Sequence, residues 1–247
     1  MIRWAVVLTL LAAPLSAESI LSAQFAAPTD RYAHGVLGDA VEWGRLEITT
    51  DGIDARALAG DAVRRRNVYG IRLPLDRVFE DLAPRLVDVD GDSEAEVIVV
   101  ETQVHIGAQL AIYDETGKIA ATPHIGQRNR WLAPIGAADL DGDGYVEIAY
   151  IDRPHLAKTL TVWRYVDGEL IRVTAASGLT NHRIGETNIA GGIRDCGQGP
   201  EMITANADWS RIMATRLVNG ALQARDLGRH DGRNSFAAAM RCEPLPQ

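Results

Sequence analysis

The sequence predicts an all-β protein, a small β-propeller of about four blades, or five, in which strands from the N- and C-termini close the ring. Three observations predict it. Segments repeat at a spacing of 51 residues, each repeat offers about four short strands separated by turns, and no segment keeps a helical period over three turns. A unit of about 50 residues with four strands has the size of a propeller blade.

The repeat is clearest in two acidic segments. Residues 86–98 read LVDVDGDSEAEVI, and residues 137–149 read AADLDGDGYVEIA. A degenerate third copy occupies residues 193–203, where Asp195 and Glu201 keep the six-residue spacing of Asp141 and Glu147. The tail SFAAAMRC, residues 235–242, resembles the Ala-rich strand before each acidic loop. We expect it to complete a blade with N-terminal strands at 32–37, 44–49 and 67–73, which would remove exposed sheet edges.

The chain begins with the features of an export signal. Arg3 precedes an apolar run over residues 4–13, and a small residue, Ala17, ends the segment. We therefore expect a signal peptide over residues 1–17, a flexible arm over 18–30 and a single propeller domain over 31–247. No later segment approaches the about 20 apolar residues of a membrane helix, so we expect a periplasmic or secreted protein without a membrane span.

The net charge argues against one class of partner, and the cysteine content predicts a disulfide. The formal net charge of −8 argues against binding to a nucleic-acid backbone. The chain contains two cysteines, Cys196 and Cys242. An even number of cysteines in an exported protein predicts a disulfide, which here would tie the C-terminal tail to the third repeat.

The two well-kept acidic loops have the composition of a cation site. Side-chain oxygens recur at alternate positions and glycines permit a tight curl, which gives the all-oxygen set that Ca²⁺ prefers. The spacing excludes an EF-hand, because position 12 is Val99 in the first loop and Tyr150 in the second. Ser93 replaces the second glycine of the first loop, which predicts a weaker site there. The candidate ligands are Asp88, Asp90, Asp92, the carbonyl of Glu94 and Glu96, and then Asp139, Asp141, Asp143, the carbonyl of Tyr145 and Glu147.

The segments DVDGDSEAEV and DLDGDGYVEI resemble the loops of the FG-GAP/VCBS repeat family, the integrin-alpha type of β-propeller. That resemblance implies one or two structural calcium ions and a role in adhesion, ligand binding or assembly. The third repeat departs from it, since Cys196 and Gly197 stand where the family has Gly and Asp, and we expect no metal there. The alternative for the first two loops is a metal-free, hydrogen-bonded acidic turn.

The segments that enter each inner strand are rich in guanidinium, amide and imidazole groups. In a propeller these segments meet at the mouth of the central channel, where ligands commonly bind. Arg suits carboxylate or phosphate, and Trp with Asn suits a sugar ring or a peptide. We therefore expect an unknown protein, a glycan or a small anionic ligand there; the alternative is that these side chains only join loops to one another. The candidates are Arg77, Arg128, Asn129, Arg130, Trp131, His182, Arg183, Glu186, Asn188, His230, Arg233 and Asn234.

The chain has no phosphate-binding loop, nucleophile elbow, dinucleotide fingerprint or zinc-protease helix. The sequence therefore predicts a binding or interaction scaffold in preference to an enzyme. A metal-assisted hydrolase or lyase that uses His182, Glu186 and His230 in the channel mouth is the alternative, and a purely structural module is a third reading. His34, His105 and His124 stand singly, without the spacing of a metal site.

Overall fold

A computed structural model describes residues 18–53 and 64–247, and within these ranges the protein is all-β with one short helix. The strands form three antiparallel sheets. The predicted signal peptide, residues 1–17, lies outside the described residues. No helix in the described part has the length and apolarity that crossing a membrane requires.

The first sheet has eight strands and contains two units. The N-terminal unit is a three-stranded meander in which the central strand pairs with both neighbours, and a single residue pair, Trp43 with Phe79, connects it to the next unit. The second unit begins with a short strand that leads into the first acidic loop. The strands are β1 (Ser19–Thr29), β2 (Glu42–Ile53), β3 (Arg64–Arg72), β4 (Arg77–Phe79), β5 (Arg85–Val87), β6 (Glu96–Gln103), β7 (Gly107–Asp114) and β8 (Gly117–Ala121).

The other two sheets repeat the pattern of the second unit. In each, a short strand leads into an acidic loop, and three strands then form a meander with tight turns. The second sheet contains β9 (Leu132–Ala138), β10 (Glu147–Asp152), β11 (Thr159–Val166) and β12 (Glu169–Ser177). The third contains β13 (Leu179–Thr180), β14 (Gly192–Asp195), β15 (Pro200–Asn206), β16 (Arg211–Val218) and β17 (Ala221–Arg229).

The units pack face to face in chain order, which places a hydrophobic core between each pair. Ile98 and Leu110 of the second unit share a cluster with Ile148 of the second sheet, and Leu160 of that sheet shares another with Met202 of the third. Strand β6, with the sequence EVIVVETQ, is buried almost throughout, because its β-branched side chains pack on both faces. The outer strand β17 is mostly exposed.

Three expectations about the chain ends are wrong. The segment 18–30, expected to be a flexible arm, holds β1, which pairs with β2. Residues 32–37, expected to be a strand, form turns in the β1–β2 loop. The tail expected to be an inner strand forms the helix α1 (Arg233–Met240), which fits the high helix propensity of its Ala-rich sequence.

The helix changes how the two ends of the chain meet. Phe236 and Ala239 of α1 pack against Ile203 and Ala205 of β15, so the helix covers the face of the last sheet. The expected closure by paired N- and C-terminal strands is therefore wrong for the described residues. The β1–β2 loop instead reaches the third sheet, where the Gly185 amide donates to the Val36 carbonyl at 3.0 Å.

The predicted disulfide is present. Cys196, in the third acidic loop, is bonded to Cys242 after α1, with the two Cα atoms 5.8 Å apart. Because the cross-link joins the tail to the third repeat, it holds α1 against the sheet that the helix covers.

Candidate functional site

The first two acidic loops have nearly identical backbones. Asp88 accepts hydrogen bonds from the amides of Gly91 and Ser93 at 2.7 and 3.0 Å. Asp139 accepts from those of Gly142 and Gly144 at the same two distances. Ser93 has a φ of 75° and its counterpart Gly144 a φ of 90°, so the first loop keeps the left-handed turn despite the strain that a side chain adds there.

Each loop brings three carboxylates together. Ligand oxygens of Asp88, Asp90 and Glu96 lie within 4.8 Å of one another, and so do those of Asp139, Asp141 and Glu147. The glutamate in each loop is buried and accepts a loop amide, from Val89 in the first loop and from Leu140 in the second, both at 2.8 Å. A cluster made of oxygen ligands suits a hard cation such as Ca²⁺.

Two of the predicted carboxylate ligands, Asp92 and Asp143, are not members of these clusters. The carboxylates of Asp92 and Asp143 accept the backbone amides of Glu94 and Tyr145 at 2.8 and 3.1 Å. These bonds shape the loops, and the residues that form them are Asp92, Glu94, Asp143 and Tyr145.

A basic side chain distinguishes the second loop from the first. Arg164 of β11 contacts Glu147 at 2.5 Å, Asp143 at 2.6 Å and Asp141 at 3.1 Å. Burial raises the pKa of Glu147, and the Arg164 guanidinium opposes that effect. The second loop therefore has a counter-ion built into the neighbouring strand.

The first loop has no ion pair within the described residues. Burial raises the pKa of Glu96 to about 7, and the carboxylates of Asp90, Asp92 and Asp88 add to that increase. The first loop is thus a concentration of negative charge that a bound cation would relieve.

The third, degenerate loop keeps the glutamate and surrounds it with guanidinium groups. Arg194 and Arg225 donate to Glu201 at 3.0 and 2.7 Å. Burial alone would raise the pKa of Glu201, but the bonds from Arg225 and Arg194 outweigh it and hold the pKa below its usual range. Asp195 accepts three amides of its own turn.

The structure assembles part of the predicted ligand face around one pocket. The pocket has a volume of about 240 Å³, and Asn129, Arg130 and Trp131 line it. Loops from all three sheets meet there, because His34 comes from the β1–β2 loop, His155 from the β10–β11 loop and Ile184 from the β13–β14 loop. The buried His182 ring packs edge-on against Trp131 at 4.9 Å between centroids.

Two histidines behind the pocket form a hydrogen-bonded chain. The Glu186 carbonyl accepts from His182 Nε2 at 2.9 Å, and His182 Nδ1 lies 2.9 Å from His155 Nε2. Because a carbonyl only accepts, His182 carries its proton on Nε2 and accepts at Nδ1 from His155. Burial, together with His182 and His34, lowers the pKa of His155 to about 4, so the chain is neutral at pH 7.

A third histidine at the pocket is oriented by a buried carboxylate. His34 Nδ1 lies 2.5 Å from Oε1 of Glu80, whose side chain is 0% exposed. The other oxygen of Glu80 accepts the Thr102 hydroxyl at 2.5 Å, and the Glu80 carbonyl accepts the indole N–H of Trp131 at 2.8 Å. Burial raises the pKa of Glu80, while His34 opposes that effect.

The other predicted face residues lie elsewhere or outside the pocket lining. Arg77 pairs with the buried Glu101, and Arg183 stacks on Trp209 at 4.3 Å, where the His230 ring also packs. No cluster of three metal-ligating groups in the described residues includes His182, Glu186 or His230. The remaining residues are absent from the pocket lining, namely Arg128, Asn188, Arg233 and Asn234.

Sequence reasoning missed His34, Glu80 and His155. Each stands alone in the sequence and belongs to a different unit, so no local spacing connects them. The sequence offered no signal for this set, because the left-handed backbone of Arg153 before His155, with a φ of 46°, is visible only in the structure.

Comparison with known proteins supports the repeat assignment. A family model described as FG-GAP-like repeat matches residues 84–150, which confirms the predicted repeat over that segment. No curated protein matches the chain significantly. A solved structure of the exotype rhamnogalacturonan lyase YesX is similar, with 17% identity and a TM-score of 0.40 over 73% of this chain. The match spans 40% of the length of that lyase.

Proposed function

We propose that this chain, which carries an FG-GAP-like repeat over residues 84–150, is an exported, calcium-stabilised β-propeller that serves as a binding or interaction scaffold. The four face-to-face units, β1–β3, β5–β8, β9–β12 and β14–β17, support four blades. The disulfide between Cys196 and Cys242 fits an oxidising compartment, and export depends on the predicted signal peptide.

The observation that carries the proposal is the pocket formed by loops from all three sheets. Ligand sites are typically concave, mostly apolar and equipped with a few oriented polar groups. Trp131, Leu156 and Ile184 supply apolar wall, and His34, His155 and Arg130 are among the other residues that line the pocket. The acidic loops serve stability in this proposal, and the pocket serves recognition.

Of the two loops, the first would be the preferred site for calcium. Its three converging carboxylates, from Asp88, Asp90 and Glu96, have no basic partner among the described residues, and their oxygen ligands suit Ca²⁺. In the second loop, an ion has to displace Arg164 from Asp141 and Glu147. The charge environment therefore favours the first loop, although its turn contains Ser93 in place of glycine.

Thermal unfolding in EDTA and in millimolar Ca²⁺ tests the calcium claim. A ligand present at about 100 times its Kd stabilises the folded state by about 2.7 kcal/mol. We expect a calcium-specific rise in Tm that is mostly lost in the double variant Asp88→Asn, Asp90→Asn, since asparagine keeps an acceptor for the loop amides. Asp231→Asn, an exposed acid of the last loop, is the control. Equal Tm values in EDTA and Ca²⁺ would remove calcium from the proposal.

The Glu80–His34 pair favours one alternative function, a hydrolase or lyase with its site in the channel mouth. A carboxylate–imidazole pair beside a pocket can accept a proton from a bound substrate. Turnover of a polysaccharide or ester substrate that His34→Gln abolishes while Tm stays unchanged would establish it.

A further inference from the structure

We propose that the β1 edge, the side of β1 turned away from β2, is a docking site for an extended, uncharged segment of another protein. The segment would add to the first unit as its inner strand. This inference rests on the scaffold role proposed above and names a surface separate from the pocket. Three features support it, namely a missing strand, an exposed edge and the lack of charge along that edge.

Within the described residues, the first unit lacks the inner strand that the other units have. Strands β4 and β5 both pair with β6 and form the inner strand of the second unit. Strand β3 leads into β4 as β8 leads into β9, so β1 corresponds in order to β6, β10 and β15. Those strands pair on both sides, whereas β1 pairs with β2 alone. The missing inner strand therefore belongs at the β1 edge.

The missing strand leaves β1 exposed where its counterparts are buried. Strands β6, β10 and β15 are buried over most of their length, but no residue of β1 is buried, and Leu21 is 45% exposed. Apart from its pairing with β2, β1 makes no backbone–backbone hydrogen bond among the described residues. Since an edge strand turns alternate N–H and C=O groups away from its neighbour, β1 offers an unused row of both.

The β1 edge also lacks the charges that protect other edges. The sequence of β1, SILSAQFAAPT, contains no charged residue. By contrast, β3 carries Arg66 and Arg72, and the outer strand β17 carries Arg225. Charged side chains on an edge strand discourage pairing with another chain. Of these three edges, the β1 edge is therefore the one that best admits a further strand.

The usable part of the edge is short. A β-bulge lies between Ile20 and Ser22, and at the other end Ala27 has a φ of 55° and precedes Pro28. A bulge and a proline both interrupt a regular ladder of hydrogen bonds, which leaves residues 22–26 for pairing. Such a length suits one short strand.

The inner strand of the second sheet indicates what the added segment should contain. Strand β9 reads LAPIGAA, and its first four residues are buried. A segment in the equivalent place would lie beside β1, whose Ala23 and Phe25 pack against a hydrophobic core, and a charged group there would lose hydration. Main-chain hydrogen bonds would supply affinity, and small apolar side chains would supply the fit.

A separate protein fits the β1 edge better than this chain or a second copy of it. The tail after β17 is folded into α1, and the disulfide between Cys196 and Cys242 ties it to the third sheet. A second copy would have to present a charged edge, such as that of β3 or β17, or its own β1, which lies against β5. A single extended segment meets neither obstacle.

Fluorescence anisotropy with a labelled LAPIGAA peptide and the full chain in saturating Ca²⁺ tests the proposal. An added strand bonds through one of its two sides. We therefore expect N-methylation of alternate amides on one side of the peptide to weaken binding about tenfold, and methylation on the other side to change it little. Aspartate in place of the peptide's isoleucine should also weaken binding. Equal affinity of the two methylated peptides would overturn the proposal, because the main chain would then not be recognised.

Hydrogen exchange and two variants locate the site. Amides of β1 should exchange more slowly once the peptide is added, while those of β3 should not change. Ala23→Pro and Gln24→Pro form a matched pair, because successive N–H groups of a strand point to opposite sides. One variant should lose a bond to β2 and lower Tm, and the other should keep Tm and lower the peptide affinity about tenfold. Wild-type affinity in both variants would overturn the location.

Other outcomes identify which proposal fails. Protection of β1 amides in the free chain at every concentration would mean that the chain covers the edge itself, and protection that rises with concentration would make a second copy the occupant. Either result would overturn the partner protein. No peptide binding, with the calcium-dependent rise in Tm intact, would overturn the strand site and leave the calcium-stabilised scaffold in place.

Discussion

The first and second acidic loops have the same motif and the same hydrogen-bonded turn, yet they differ in charge. The first loop brings three carboxylates within 4.8 Å and has no ion pair among the described residues. The second brings together the equivalent three, and Arg164 pairs with two of them, Asp141 and Glu147. The first loop therefore has no basic side chain paired with it among the described residues, whereas the second has a counter-ion on the neighbouring strand.

The difference originates in the neighbouring strand. Glu147 pairs in register with Arg164, whereas the pairing of Val97 with Tyr113 places Asp114 opposite Glu96. Arg164 and Asp114 therefore occupy equivalent cross-strand positions next to two acidic loops of the same motif. The lesson is that a cation motif has to be judged together with its cross-strand partner.

Removal of Arg164 should change the difference in charge between the two loops the most, and it should have the largest effect on stability. Arg164→Met leaves the buried Glu147 without a counter-ion, and we expect the free energy of unfolding in EDTA to fall by about 3 kcal/mol. Calcium should restore most of this loss, since the second loop would then resemble the first. Urea unfolding with and without Ca²⁺ measures both values.

Arg172→Met, on an exposed position of β12, is the control for general loss of an arginine. A loss that calcium leaves uncorrected would mean that Arg164 has only a packing role, and the contrast between the loops would then not be one of charge.

Transplanting the counter-ion should have the next largest effect. Asp114→Arg places a guanidinium opposite Glu96, and we expect it to remove about 2 kcal/mol of the calcium-dependent stabilisation. Asp114→Ala is the matched control, because both variants lose the bonds from Asp114 to Thr116 and Gly117. Equal calcium-dependent stabilisation of Asp114→Arg and Asp114→Ala would mean that a cross-strand counter-ion does not set the difference between the loops.

A substitution at the third loop should have the smallest effect on stability, and that effect should depend most on pH. Arg225 is about half exposed, so Arg225→Met should cost only about 1 kcal/mol at pH 7. The folded-state pKa of Glu201 is held low, so its contribution is present above the ordinary value of a glutamate and is lost as the pH falls through the folded-state pKa.

The unfolding free energies of wild type and Arg225→Met should therefore converge in acid, as urea titrations at several pH values would show. Arg229→Met, on an exposed position of the same strand, is the control. A difference that persists at the lowest pH would exclude Glu201 as its source.

Local patterns predicted the repeated strands well. A strand follows each acidic loop, namely β6, β10 and β15, as short apolar segments between turn residues predict. The chain ends were predicted poorly. Residues 235–242 have the composition of an inner strand, but their alanines also favour a helix, and packing on β15 decides between the two.

The sequence by itself determined the repeat, the acidic motifs and the disulfide, since each depends on spacing along the chain or on residue type. Only the tertiary structure decided how the loops are charged and where the pocket lies. Arg164 reaches the second loop through strand pairing, and His34, Trp131 and His155 meet because loops of different sheets converge. Sequence motifs report neighbours along the chain, whereas electrostatics and recognition depend on distances in space.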